Sequence, residues 1–125
     1  MSISIIGILV ALGTISFSSA QVKARDARRV EDMKVIQNAA EQYYASSGTY
    51  TYPVSSSTPW TAGGQTMLSV FPSDPKPPPW TAYSYSVSGG VYCACARMEN
   101  VAAGNSNNVC GFGVATTYYC VKGQQ

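Results

Sequence analysis

The sequence predicts an α+β protein in which a long N-terminal α-helix packs on a small antiparallel β-sheet. The first 22 residues contain no charged side chain, and residues 23–47 combine charges with apolar residues at helical spacing. Short alternating segments separated by glycines follow, and this pattern is typical of β-strands and tight turns. We therefore predict a helix over residues 1–47 and a β-rich head over residues 48–125.

The first part of the predicted helix, residues 1–22, is apolar on every face. Such a helix is covered either by a large core or by lipid. A chain of 125 residues cannot enclose a helix roughly 70 Å long. We expect a bilayer or copies of the same helix to cover it. The residues expected at this membrane or filament-core surface are Ile3, Ile5, Ile6, Ile8, Leu9, Val10, Leu12, Ile15 and Phe17.

The second part of the helix, residues 23–47, combines charges of both signs with an apolar stripe that we expect the head to cover. Steps of three or four residues place the stripe on one helix face. It consists of Val30, Met33, Ile36, Ala40 and Tyr43. The charged side chains form either a solvated face or salt bridges between subunits. Those expected to set the register between subunits are Arg25, Asp26, Arg28, Arg29, Glu31 and Asp32.

Two other interpretations of the apolar segment stay open. A cleaved secretory signal would use Ser18-Ser19-Ala20 as its small-residue cleavage site. Against it, no basic segment precedes the apolar run, and the helical pattern continues past the site. An ordinary single-span anchor would place the basic residues of 23–34 in the cytoplasm. The head would then lie on the cytoplasmic side, where disulfides are rare.

The head contains four cysteines, Cys93, Cys95, Cys110 and Cys120. An even number behind an export-type N-terminus favours disulfides in an oxidising compartment. A zinc site would need all four thiolates because the sequence has no histidine, and the spacing lacks two C-x2-C pairs. Free thiols are the third alternative.

Turn-forming residues divide the head into short segments. We expect Gly48 to end the helix, residues 49–62 to form a loop, and residues 65–70 to form one or two helical turns that pack on the apolar stripe. Three strands are predicted, at residues 83–87, 91–98 and 114–121. If the last two strands pair in a symmetric hairpin, Cys93 lies opposite Cys120. Cys95 and Cys110 then form the second disulfide.

Several segments of the chain resemble the type IV pilins, and most closely the major pseudopilin branch of type II secretion systems. Residues 71–75 are similar to the leucine-proline-x-aspartate-proline turn of that branch. The other similar segments belong to the N-terminal helix and to the strands of the head. The resemblance rests on residues 4–12, 23–29, 42–50, 71–75, 83–85 and 92–100.

The resemblance implies a structural subunit that polymerises into a pilus or pseudopilus filament, with roles in secretion, adhesion or motility. Its partners would be its own copies, the cytoplasmic membrane before assembly, and the pilus or secretion assembly machinery. The assembled filament would be extracellular or periplasmic. Family members also have a basic leader and a glutamate near the mature N-terminus, which would lie upstream of Met1. We therefore expect the N-terminus of this sequence to be incomplete.

The resemblance also raises the question of calcium, which many major pseudopilins bind near their C-terminal loops. The candidate oxygen ligands here are mostly neutral, whereas a hard cation prefers several carboxylates. We therefore expect that disulfides replace calcium and that the chain has no cofactor. The candidate ligands are Asp74, Glu99, Asn105, Asn107 and Asn108.

The composition argues against an enzyme and against nucleic-acid binding. Without histidine, no Ser-His or Cys-His nucleophile pair can form, and the sequence has no phosphate-binding or dinucleotide-binding glycine motif. The basic residues of 23–34 are balanced by acidic neighbours, which excludes a sustained basic face. The alternative function is a membrane-anchored extracytoplasmic binding module with Trp60, Trp80 and the tyrosines on a ligand face, or a minor pilin at a filament tip.

Overall fold

A computed structural model describes residues 2–124, with the exception of the side chains of residues 13–16. The predicted role of Ile15 therefore lies outside the described residues. The fold is α+β, as predicted: one long N-terminal helix packs on two small antiparallel sheets. The elements are α1 (Ser2–Ser46), β1 (Trp60–Ala62), β2 (Gln65–Leu68), β3 (Ser84–Ser88), β4 (Val91–Arg97) and β5 (Tyr118–Lys122).

Helix α1 comprises 45 residues, which corresponds to about 68 Å at the usual rise per residue. It ends one residue before the predicted boundary. Gly48 follows with a φ of 75°, which confirms its left-handed conformation at the helix end. The Ser47 hydroxyl donates a hydrogen bond to the carbonyl of Tyr44 and accepts one from the Thr51 amide, which closes the last turn.

The main sheet has the strand order β3-β4-β5, and all of its strands are antiparallel. Gly89-Gly90 joins β3 to β4 in a tight turn, as the sequence predicted. The pairing of β4 with β5 brings Cys95 opposite Cys120 and Cys93 opposite Lys122. Strand β4 is the central strand, and its Ala94 side chain is fully buried on the face opposite to the cysteines.

A second sheet corrects two predictions for the segment before the main sheet. Residues 65–70 were predicted as helical turns, but β2 lies there and pairs with β1. Gly63 and Gly64 both have positive φ, at 59° and 78°, which is the conformation that a two-residue hairpin turn requires. These glycines therefore favour a hairpin over a helix, and β1 replaces the end of the predicted loop.

The third predicted strand, residues 114–121, is also shorter and lies later in the chain than expected. The loop after β4 makes the backbone hydrogen bonds that would have extended it. The amide of Gly104 donates to the carbonyl of Thr116, and the amides of Asn105 and Ser106 donate to the carbonyl of Tyr118. Residues 114–117 are therefore held by this loop, and β5 begins only at Tyr118.

The core lies between the C-terminal half of α1 and the two sheets. Met33, Ile36 and Ala40 are fully buried, so the head covers the predicted apolar stripe. On the sheet side, Tyr85 and Tyr92 stack with their ring centroids 5.7 Å apart, and Trp60 packs at 5.1 Å from the Tyr85 ring. Three other residues were expected to pack back on the helix with Leu68. Of these, Met67 and Phe71 pack against the core, but Val70 is exposed.

Candidate functional site

The N-terminal part of α1, residues 2–22, is hereafter called the arm, and most of its described side chains are exposed. Its large apolar side chains are between 59% and 83% exposed. Judged by length and composition, the helix is long and apolar enough to cross a membrane. Covering each such side chain would stabilise by about 1.5–3 kcal/mol. These side chains are Ile3, Ile5, Ile6, Ile8, Leu9, Val10, Leu12 and Phe17.

Arg29 marks the place where the helix enters the head, and its side chain is fully buried. Its Nε and Nη2 atoms donate to the two carboxylate oxygens of Asp74 at 2.8 and 2.9 Å. Its Nη1 donates to Asp26 at 2.7 Å and to Glu99 at 2.8 Å. One guanidinium thus holds three carboxylates, and the two-atom contact with Asp74 is the geometry in which such pairs are strongest.

Asp26 and Arg25 complete this ion-pair cluster, which we define as Arg25, Asp26, Arg29, Asp74 and Glu99. Asp26 is also buried, and its two oxygens accept hydrogen bonds from the amides of Glu99 and Asn100, both at 3.0 Å. Arg25 donates to Glu99 through Nε and Nη2, at 2.5 and 2.8 Å. The cluster therefore joins the helix to the turn at Asp74 and to the loop that follows β4.

The electrostatics of the cluster shift the pKa of Glu99, Arg29 and Arg25 in the direction that favours the charged form of each. The hydrogen bond from Arg25, followed by that from Arg29, lowers the pKa of Glu99 to about 2, although partial burial opposes the shift. Burial alone would lower the pKa of Arg29, but the hydrogen bonds to Asp74, Glu99 and Asp26 outweigh burial and raise it. The hydrogen bond to Glu99 also raises the pKa of Arg25.

Trp80 lies over the cluster and is surrounded by cations. Its ring centroid is 5.2 Å from the guanidinium carbon of Arg29, 4.9 Å from that of Arg97 and 4.6 Å from Nζ of Lys76. Trp60, by contrast, is buried in the core, and its indole N–H donates to the carbonyl of Ser55. The two tryptophans therefore do not share one exposed ligand face, which corrects that part of the binding-module interpretation.

The structure also corrects the interpretation of the helix charges. Asp26 and Arg29 cannot set the register between subunits because both are buried against their own head. The side chain of Arg25 is 29% exposed and forms a salt bridge with Glu99 of the same chain. Asp32 accepts a hydrogen bond from the Tyr83 hydroxyl at 2.7 Å. Burial and this bond raise the pKa of Tyr83.

Arg28 and Glu31 remain on the outer face of the helix. The side chain of Arg28 is 66% exposed, and its Nε lies 3.9 Å from Asp32. Glu31 is also exposed. These two side chains remain available for contacts with another copy of the chain, and their register role stays a prediction.

The disulfide pairing predicted from the sequence is wrong. The structure has Cys93–Cys110 and Cys95–Cys120 in place of Cys93–Cys120 and Cys95–Cys110. The reason is the register of β5, which begins later than predicted and so brings Cys120 opposite Cys95, with their Cα atoms 4.1 Å apart. Cys110, which lies in the loop between β4 and β5, then forms its disulfide with Cys93.

Four of the five candidate calcium ligands are engaged in separate contacts within the chain. Asp74 and Glu99 belong to the ion-pair cluster. The Asn105 side chain accepts from the amide of Cys120 and donates to its carbonyl, at 2.9 and 3.2 Å. The Asn107 side-chain oxygen accepts hydrogen bonds from backbone amides of its own loop.

The sequence contains a signal for the buried charges, although we predicted that these charges face solvent or a neighbouring subunit. Positions 26, 29, 33, 36 and 40 follow one another in steps of three or four, so Asp26 and Arg29 continue the face that Met33, Ile36 and Ala40 define. Polar residues on a core-facing stripe point to buried pairing.

No family model matches the chain, and neither a curated protein nor a solved structure matches it.

Proposed function

We propose that this chain is a structural subunit of the type IV pilin class, which polymerises into a filament through its arm. The observation that supports this proposal best is the arm itself, where eight large apolar side chains are at least 59% exposed. A bilayer would cover them before assembly. The arms of neighbouring copies would cover them afterwards, in a central bundle with the heads outside.

The contact between arms is heterologous, because one side of an arm meets a different side of the next. Such contacts do not close on themselves, and growth continues into an open helical polymer. The ion-pair cluster supports this role because it fixes the helix in the head at Arg29, close to the C-terminal end of the arm. A fixed arm would orient every head in the same way along the filament.

The disulfides support a location for the head outside the cytoplasm, where they form and persist. The precursor would be anchored in the cytoplasmic membrane by the arm, and the filament would be periplasmic or extracellular. Its partners would be other copies of the chain and the pilus or secretion machinery that assembles them. A pilus and a secretion pseudopilus are both compatible with these features.

Electron microscopy of sheared material from cells that naturally make the protein tests the proposal. Antibodies raised against the head should label thin filaments in the sheared fraction. Protein confined to the membrane fraction, with no labelled filament, would instead support a membrane-anchored binding module. A soluble head whose first 20 or so residues have been removed would support the cleaved-signal interpretation, for which a small-residue cleavage site is typical. Either of the last two results would overturn the proposal.

A further inference from the structure

The two disulfides lie side by side, and their four sulfur atoms form one compact group. All four Sγ atoms lie within 4.8 Å of one another. Between the two disulfides, the Sγ atoms of Cys93 and Cys95 are only 3.5 Å apart. Cys95 and Cys120 are buried, and Cys93 and Cys110 are half-buried. We call this group the cysteine cluster.

The backbone places three of these sulfurs together without help from the disulfides. Cys93 and Cys95 are alternate residues of β4 and therefore point to the same face of the sheet. Cys120 lies opposite Cys95 in the register of β5 and points to that face as well. Three of the four sulfurs are therefore held by the hydrogen bonds of the sheet.

The loop that supplies Cys110 is also tied to the sheet by hydrogen bonds. The Asn105 side chain makes two hydrogen bonds to the backbone of Cys120. The Asn107 side-chain oxygen accepts from the amides of Val109 and Gly111, at 3.0 and 2.7 Å, and so holds the turn around Cys110. The Asn107 carbonyl oxygen lies 3.1 Å from the Sγ of Cys120. These contacts do not require either S–S bond.

Four thiolates at this separation match the geometry of a structural zinc site. Tetrahedral Zn²⁺ with Zn–S distances of about 2.3 Å sets its sulfurs about 3.8 Å apart. The Sγ atoms of Cys93 and Cys95 are 3.5 Å apart, and all four sulfurs lie within 4.8 Å of one another, so after reduction only the two bonded pairs would have to move apart. Lys122 lies opposite Cys93 and adds a positive charge beside a site that would have a net charge of about −2.

We propose that the reduced form of the cysteine cluster binds one Zn²⁺ ion through four thiolates. A thiol reductant supplies two electrons and two protons to each disulfide, which yields four cysteine thiols. Zn²⁺ then replaces the four thiol protons and releases them to solvent. The metal joins the same four positions that the disulfides join after oxidation. This proposal does not depend on filament formation.

A consequence is that the head can be cross-linked in both reducing and oxidising surroundings. Four-cysteine zinc sites contribute directly to folding free energy. A chain made in a reducing compartment would thus hold its β4–β5 region and the connecting loop in place before disulfides can form. A disulfide oxidant that accepts two electrons from each pair of thiolates would then form the two S–S bonds and release Zn²⁺, because a sulfur engaged in a disulfide is no longer a thiolate ligand.

Cobalt titration of the full chain in detergent micelles tests the proposal. After anaerobic reduction with a phosphine, Co²⁺ should bind in a one-to-one ratio and give the strong visible absorption of a tetrahedral thiolate complex. Zn²⁺ should then displace it. The oxidised chain is the matched control and should bind no metal at this site. The double variant Cys95→Ser, Cys120→Ser should bind at least roughly 100-fold more weakly, because it has lost half of the ligands.

A second measurement keeps the test decisive if reduction unfolds the head. In that case Zn²⁺ should restore resistance to protease and the folded circular dichroism spectrum of the reduced chain, but not of the double variant. Three results would overturn the proposal: no Co²⁺ bound by the reduced chain at micromolar concentration, a weak octahedral cobalt spectrum, or binding by the oxidised chain or the double variant that equals that of the reduced native chain.

Discussion

The two halves of α1 differ in whether they bury polar or apolar side chains. The arm exposes its apolar side chains, whereas the half that enters the head buries Asp26 and Arg29 beside Met33 and Ile36. The buried charges are stable there because each has partners within the chain. The large apolar side chains described in the arm are at least 59% exposed, so any further cover for them would come from outside the head. Burial in this helix is thus decided by the partner available and not by hydrophobicity alone.

The largest effect should come from placing a charge on the arm. Leu9→Asp should abolish both retention in the membrane and filament formation, because an acidic residue in the middle of a membrane helix costs about 2.5–3.5 kcal/mol and would also repel neighbouring copies. The control is Val54→Asp, on the head, where the native side chain is 87% exposed. Fractionation and microscopy check both variants, and equal behaviour of the two would remove the distinction between arm and head.

The next largest effect should come from removing a buried charge in the half of α1 that packs on the head. Arg29→Met should destabilise the head by about 3–5 kcal/mol, because three carboxylates lose their common partner while remaining buried or half-buried. Arg28→Met, one residue earlier and on the exposed face, should change stability by less than about 0.5 kcal/mol. Urea unfolding of both full-length variants in micelles measures the difference. Similar losses would mean that the ion-pair cluster does not anchor the helix.

A smaller effect should follow from crowding the loop that holds residues 114–117. A Cβ atom on Gly104 would collide with the carbonyl oxygens of Tyr118 and Thr116. Gly104→Ala should therefore destabilise the head by about 1–3 kcal/mol through a forced shift of the backbone. Ala102→Gly, at an exposed position of the same loop, serves as the control. Thermal unfolding that is unchanged in Gly104→Ala would contradict this packing.

The smallest effect should be the pH dependence that Glu99 contributes. Its pKa is about 2 in the folded chain and about 4.3 when unfolded, so the unfolded state takes up the proton first as the pH falls. The stabilisation is therefore complete above about pH 4.5 and disappears toward pH 2. Thermal midpoints measured over this range should fall less steeply in Glu99→Gln than in the native chain. A slope in Glu99→Gln identical to that of the native chain would contradict the assignment.

Local pattern was enough to predict the helix and the exposed arm. Residues 1–22 have no charge to direct one face toward a core, and Gly48 stops the helix by its own conformation. The steps of the apolar stripe likewise predicted the face that the head covers. These features depend on short stretches of sequence, where spacing and backbone preference decide the outcome.

The contacts between distant segments could not be predicted in the same way. The register of β5 depends on the loop after β4, whose amides occupy the carbonyls of Thr116 and Tyr118. Because of this loop, β5 begins later than predicted, and Cys120 therefore lies opposite Cys95 and not opposite Cys93. The partners of Arg29 lie 45 and 70 residues away in the sequence, at Asp74 and Glu99. In the sequence, only the helical spacing of Asp26 and Arg29 relative to the apolar stripe indicated that these charges face the core.

Site-specific photo-crosslinking tests most directly whether copies of the arm cover one another. A photo-reactive amino acid replaces Ile8 in the full chain, and assembled material is irradiated in its native surroundings. We expect a ladder of dimers and larger oligomers, with the attachment points within residues 2–22 of the neighbouring copy, and no ladder from monomers dispersed in detergent. Crosslinks only to lipid or to a different protein would contradict the central claim.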